Sequence, residues 1–352
     1  MTRLRRIDCS GPGIKRRRRG RGWEYVDHRG ARVDEAEVLV RIRELAIPPA
    51  WTDVWICPHP NGHLQAVGTD AAGRKQYVYH EQWRKRRDAE KFAEMLEFAR
   101  ALPDLRAVCA EHLALESLGP ERVLACATRM LDRGFFRIGT EGYAEQNQTY
   151  GLATIQKDHV ILNDQTVTFD YKAKSGKRRR FTLPDPEVYE VVAQLKRRRS
   201  GGLELLAFKQ GRNWYDVRSS DINDYIKSIT GRDFSAKDFR TWNATVFAAV
   251  ALAVSNEAAR TKTARKRAIA RALQEVAGYL GNTPAVCRAS YIDPRVFDRF
   301  NSGWTISGIL PVIGHDTQVG ELSIHGPAEE ATLDLLEDNR ASDALEKVRL
   351  SA

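Results

Sequence analysis

Cleaving a phosphodiester without a metal takes several side chains acting together. A nucleophile must attack phosphorus in line, cations or N–H donors must hold the non-bridging oxygens, and an acid must protonate the departing oxygen. Side chains suited to these tasks stand along this chain. Arg137 lies in "RGFFRIGTEGY", just past the end of a predicted helix. Lys174 falls at a predicted hairpin tip, "AKSGK", where Gly176 supplies backbone freedom for the turn. Arg240 opens a long apolar helix in "AKDFRTWNATVF". Asn282 and Tyr291 share the stretch "LGNTPAVCRASYIDP", the tyrosine nine positions beyond the asparagine and just ahead of a proline.

Each residue also has an ordinary reading. A lone tyrosine fills a core or a surface, a turn lysine solubilises, and two arginines can serve structural ion pairs. The weight lies in their joint order and spacing. No D-x-D, H-E-x-x-H or glycine-rich phosphate loop is present. Metal and nucleotide routes therefore have little support, and no metal or cofactor is expected. Cys9, Cys57, Cys109, Cys126 and Cys287 form no pair at metal or redox spacing, which suits free or buried thiols in a reducing cytosol.

The elements that must position these residues follow from periodicity. Residues 1–22 are rich in Arg and Gly and read as a basic flexible N-terminus. In 23–88, "VWICP", "HLQAVG" and "KQYVYH" alternate as strands between turns, and "EAEVLVRIREL" is an amphipathic helix ended by "IPP". This predicts a small β-rich domain. From 89 the pattern turns helical, with Phe92, Leu96 and Ala99 on one face and a second helix from Glu121 to Asp132 with Gly134 at its end. Short strands follow, "GLATIQ", "HVILND" and "TVTFDY", then "RRRFTL" after a "KSG" turn. "ATVFAAVALAVS" reads as a helix buried all round, and Ile269, Leu273, Val276 and Leu280 keep helical spacing up to Gly281. Residues 315–352 turn acidic and predict a closing helix or tail. The fold class expected is α+β: a small β-rich domain before a larger, mostly helical domain (89–314) containing a short antiparallel meander.

The 352 residues carry a net charge of +10, gathered in runs such as "GIKRRRRGRG" and "YKAKSGKRRR". Such runs favour an anionic partner. The basic N-terminus lacks the apolar stretch of a secretory signal, and "VFAAVALAV" is too short to span a bilayer.

The ordered set Arg137, Lys174, Arg240 and Tyr291 resembles the poxvirus-like type IB DNA topoisomerases of viruses and bacteria, in type, order and spacing. The resemblance runs from "WEYVD" to Tyr291 and the helix after it. Two positions depart from the family pattern. Asn282 stands where the family has a histidine, and Ala173 replaces the glycine before the hairpin lysine. "GRKQYVYH" resembles the family's strand that reads the major groove, with Gln76, Tyr77 and Tyr79 at base-contacting positions and Arg74 beside them. Tyr143, six residues after Arg137, matches another DNA-contacting tyrosine, and Lys237 completes the DNA-binding set.

The resemblance implies a C-shaped clamp on duplex DNA that acts as a monomer in the cytoplasm, associated with the nucleoid. Tyr291 would form a 3′-phosphotyrosine, Arg137 and Arg240 would hold the phosphate, and Lys174 would protonate the 5′-oxygen. The nicked strand would then swivel and reseal without ATP. Asn282 can donate a hydrogen bond to a phosphoryl oxygen but cannot carry charge or titrate. Two rivals stand beside this reading. A tyrosine recombinase uses similar chemistry, but usually has a histidine where this chain has Lys237, together with a helical first domain. A non-enzymatic DNA-architectural protein would explain the charge without the ordered constellation.

Overall fold

Between Ile14 and Tyr79 the chain forms five strands around one small helix. These are β1 (Ile14–Arg19), β2 (Gly22–Val26), α1 (Ala36–Glu44), β3 (Thr52–Ile56), β4 (Leu64–Thr69) and β5 (Lys75–Tyr79). The strands pair antiparallel in the order β2-β1-β3-β4-β5, leaving β5 at an edge. Ile14, Ile42, Val54, Ile56 and Ala66 form the core, with Trp51 and Val78 packed against it. The computed structural model describes residues 3–256, 258–313 and 325–350, apart from the side chain of Tyr143. They divide into two compact units, Met1–Ala93 and Glu94–Ala352.

Within the basic stretch expected to be flexible, Ile14–Arg19 forms β1. Ile14 is buried in the core, and the Arg16 guanidinium donates to the carbonyls of Ile47, Pro48 and Trp51 while stacking on Trp23, 4.2 Å from the ring centre. A basic residue with carbonyls and an aromatic face to bind is a sheet residue rather than a solvated one.

The expected boundary at 88 falls inside a single long helix, α2 (Glu81–Leu113). Then come α3 (Pro120–Gly134), α4 (Glu141–Asn147), β6 (Val160–Asn163), β7 (Thr166–Lys172), β8 (Arg178–Pro184) and α5 (Pro186–Arg197). They are followed by the hairpin β9 (Ala207–Gln210) and β10 (Asn213–Asp216), then α6 (Ser219–Thr230), α7 (Ala236–Val254), α8 (Lys262–Leu280), α9 (Pro284–Ser290) and α10 (Pro294–Asn301). Part of the expected acidic tail, 315–324, lies outside the described residues; within the rest, α11 occupies Pro327–Glu337. The fold class is α+β, as expected.

The meander has three strands, β6-β7-β8, and "GLATIQ" is not one of them. Leu152, Ala153 and Thr154 are all buried in a single 3₁₀ turn, with none of a strand's alternation. Their backbone instead serves the site: Leu152 N–H donates to Arg137 O at 2.8 Å and Ala153 N–H to Ile138 O at 2.7 Å.

Helix α3 closes one residue later than Gly134 suggests. Phe135 takes the left-handed conformation, with φ 52°. Gly134 is used for space: a Cβ there would come within 2.5 Å of the Phe136 ring. Phe136 fills that space and meets Phe169 edge-on at 4.9 Å and Phe181 at 5.0 Å. The inward face of the sheet thus seats the turn that leads to Arg137. Helix α7 is buried through Phe239, Trp242, Ala244 and Val246, and α8 through Ile269, Leu273, Val276 and Leu280. Truncating one such ring costs about 3–5 kcal/mol. These helices are the rigid carriers of the next group.

Candidate active site

Arg137, Lys174, Lys237, Arg240, Asn282 and Tyr291 line one cavity of about 450 Å³ in the second unit. They arrive from five pieces of local structure. Arg137 follows the α3 turn and is fixed by the backbone bonds from Leu152 and Ala153. Lys174 is exposed at the tip between β7 and β8, where Ser175 and Gly176 take φ of 66° and 72°. Lys237 and Arg240 occupy the first turns of α7. Gly281 ends α8 at φ 64°, and Asn282 comes next. Tyr291 terminates the short helix α9, its N–H donating to Cys287 O at 3.0 Å. The buried Thr245 hydroxyl of α7 donates to Tyr291 O at 3.3 Å.

Two guanidiniums shape the floor. Arg240 is only 4% exposed, and its Nη1 and Nη2 donate to Phe135 O at 2.6 Å and Leu280 O at 3.0 Å. Its carbon lies 5.3 Å from the Tyr291 ring centre. Burial pulls the Arg240 pKa below its ordinary value. Tyr291 opposes this, whereas Arg137 and Arg179 add to it by repulsion. Arg137 Nη2 donates to Gly281 O at 3.2 Å and to Asn282 Oδ1. Among the described residues no carboxylate pairs with either arginine. Each has five N–H donors, so both keep donors for a ligand.

Asn282 is oriented by this arrangement, because an arginine can only donate and so selects the amide oxygen. The Asn282 Nδ2 is then buried without a partner. A buried donor left unpaired costs about 1–3 kcal/mol. The cavity is therefore lined by cations and a phenol, with the unmatched Asn282 donor buried at its wall and no carboxylate lining it among the described residues. Its chemistry suits an anion with several oxygens held in front of Tyr291.

The remaining expected DNA contacts lie elsewhere. Tyr77 and Tyr79 are 47% and 36% exposed on one face of β5 and stack with ring centres 6.1 Å apart. Gln76 is on the opposite face and donates to Asp70 Oδ2 at 2.9 Å, beside the Arg74–Asp70 ion pair at 2.8 Å. Tyr143 is on α4, and its side chain lies outside the described residues. No three His, Cys, Asp or Glu side chains among the described residues cluster as a metal site, and no described helix is long and apolar enough to cross a membrane.

Two residues near the site escaped the sequence reading. Thr245 carried no signal beyond its place in an apolar helix. Arg179 was absorbed into "KRRR" as a basic run, although alternation along a strand places it with Phe181 and Leu183, opposite Arg178 and Arg180.

Residues 80–302 match the family model for the eukaryotic DNA topoisomerase I catalytic core, and residues 22–70 match the bacterial DNA topoisomerase IB N-terminal domain. The chain is 32% identical over 286 residues to DNA topoisomerase 1B of Acanthamoeba polyphaga mimivirus, covering 80% of this chain and 85% of the relative. It is 20% identical over 233 residues to DNA topoisomerase 1B of vaccinia virus (strain Copenhagen), covering 66% and 71% respectively. The chain belongs to the type IB DNA topoisomerase family. It is accordingly an isomerase, a type IB DNA topoisomerase.

Proposed function

We propose that this enzyme relaxes supercoiled duplex DNA through a 3′-phosphotyrosine on Tyr291, without metal or ATP. The observation that carries the proposal is the cavity lined by Tyr291, Arg137 and Arg240, with neither arginine paired with a carboxylate among the described residues. The phenol oxygen attacks phosphorus, and its proton passes to solvent. Arg137 and Arg240 hold the non-bridging oxygens, with Asn282 Nδ2 donating a further hydrogen bond. Lys174 protonates the 5′-oxygen as the P–O bond breaks, leaving a 5′-hydroxyl. The new P–O bond to Tyr291 conserves the energy of the old one. After strand rotation the 5′-hydroxyl attacks the phosphotyrosine and the steps reverse. Lys237, at the cavity wall, supplies a further phosphate contact.

In this reading residues 23–88 form the DNA-reading domain through Arg74, Gln76, Tyr77 and Tyr79, with Tyr143 contributing from the catalytic domain, 89–314. The reading also takes the enzyme to act as a monomer. The match of residues 22–70 to a bacterial domain supports work on nucleoid DNA in a bacterial cytoplasm.

The test is relaxation of negatively and positively supercoiled plasmid in EDTA without ATP, followed by trapping of the covalent complex. The wild type should relax both and carry protein on the 3′ side of the nick. Tyr291→Phe should bind duplex nearly normally and form no adduct. An absolute need for ATP, an adduct on the 5′ end, or an adduct with the Phe variant would defeat the proposal.

A further inference from the structure

The turn that ends α3 is held by two arginines. Arg179 Nη1 donates to Phe135 O at 3.0 Å and Nη2 to Gly134 O at 2.9 Å. Arg240 Nη1 donates to the same Phe135 oxygen at 2.6 Å. The last carbonyls of a helix lack intrahelical partners and carry its negative end, so this turn is a natural seat for cations. The Arg179 guanidinium also stacks on Phe181, 4.8 Å from the ring centre, and among the described residues no carboxylate pairs with it.

Arg179 belongs to β8, the strand that rises to the Lys174 tip. It pairs with Tyr171 one step below the Lys172–Arg178 pair, and Ala173 N–H to Lys177 O at 2.8 Å closes the turn above. Lower in the sheet, Phe169 and Phe181 pack on Phe136. Nearer the tip, Tyr171 stacks on Phe136 with ring centres 6.3 Å apart and Tyr150 N–H donates to Lys172 O at 2.8 Å, while Arg179 supplies the side-chain hydrogen bonds from this hairpin to the α3 turn.

The consequence of losing it is selective. Phe135 O would keep its bond from Arg240, and Arg137 would keep the backbone bonds from Leu152 and Ala153. The hairpin would keep the Tyr171–Phe136 stacking and the bond from Tyr150 N–H to Lys172 O, but would lose its hydrogen bonds to the α3 turn on the β8 side, and with them part of the seating of Lys174. We infer that Arg179 is a positioning residue for strand cleavage, setting the Lys174 tip against the Arg137–Arg240 frame so that the ammonium reaches the departing 5′-oxygen. The inference rests on Lys174 being the acid, as proposed above.

The experiment is single-turnover cleavage of two duplexes that differ only at the 5′ bridging atom of the scissile phosphate, oxygen or sulfur. A sulfur leaves as a thiolate and needs no acid. Arg179→Met keeps much of the stem and removes every donor. It should cleave the oxygen substrate about ten- to a hundredfold more slowly than wild type, the scale of a misplacement of about 1 Å. On the sulfur substrate it should come within a few-fold of wild type. The double variant Lys174→Ala/Arg179→Met should be no slower than Lys174→Ala alone, since both changes act on one step. Arg179→Lys, which keeps the charge but puts its donors on a single nitrogen, should fall between wild type and Met. It also carries the test if the Met variant does not fold.

Equal slowing of the Arg179 variants on both substrates, or multiplied losses in the double variant, would overturn the positioning assignment. Failure of sulfur to rescue Lys174→Ala would instead overturn the acid assignment, and the two failures are read from separate proteins.

Discussion

Asn282 binds Arg137 with the oxygen of its amide and leaves the nitrogen buried without a partner. That half-satisfied state predicts the behaviour of its variants. Asn282→Ala should slow cleavage about 10²-fold, the order lost with one oxyanion donor. Asn282→His should retain substantial activity, because a neutral imidazole can accept from Arg137 with one nitrogen and donate with the other. Asn282→Asp should be slower than Ala, since a carboxylate would pair with Arg137 and repel the phosphate. The wild-type rate should lack an ionisation near pH 6.5 attributable to this position. Single-turnover cleavage of the four proteins across pH checks the order, and equal rates for wild type and Ala would reduce Asn282 to a helix-end residue.

The edge strand β5 sorts its residues by face. Tyr77 and Tyr79 stand stacked and exposed on one side, while Gln76 turns to the side of Val78 and is held by Asp70. The tyrosines are thus free to meet bases, and Gln76 would first have to leave Asp70. Tyr77→Ala with Tyr79→Ala should flatten the preference among cleavage sites, each good base contact being worth about 1–3 kcal/mol. Gln76→Ala should change the cleavage map much less. A map unchanged by the tyrosine pair would assign those rings to the surface alone. The alternation of "KQYVY" was legible in the chain, and so was the split between its faces, because a strand's period is set by the backbone. The engagement of Gln76 with Asp70 was not, since it depends on how the preceding turn folds back.

Across the second unit, a buried polar network ties the helices that lead to the site. Arg106 of α2 donates to both Asp132 oxygens on α3 at 2.9 Å and to both Glu329 oxygens on α11, while Trp242 of α7 donates to Glu329 at 2.8 Å. His325 Nε2 lies 3.7 Å from Asp132 Oδ1. Burial lowers the His325 pKa below the usual 6.5; Asp132 opposes this and Arg106 adds to it. Below about pH 6.5 the unfolded chain therefore binds more protons at this site than the folded one. The contribution is intact above that value and falls as pH drops toward the lowered folded pKa, at up to about 1.4 kcal/mol per pH unit. His325→Gln should lose less stability than wild type between about pH 7.5 and about pH 5.5 by urea unfolding, and parallel losses would remove His325 from the linkage.

Amino-acid order alone determined the α+β division, the strands and helices with clear periodicity, the basic charge, and the types and spacing of Arg137, Lys174, Arg240, Asn282 and Tyr291. Those features are local, being set by backbone period, turn residues and composition. Tertiary structure decided which basic residues are buried, because a run such as "KRRR" looks the same whether its members face solvent or a helix end. It seated Arg16 on the carbonyls of Ile47, Pro48 and Trp51, drew Arg179 and Arg240 to one carbonyl, and joined Arg137 to Asn282 across 145 positions of chain. Contacts at that separation exist only once the helices and sheet have packed, since packing alone brings the donors and acceptors within hydrogen-bonding distance.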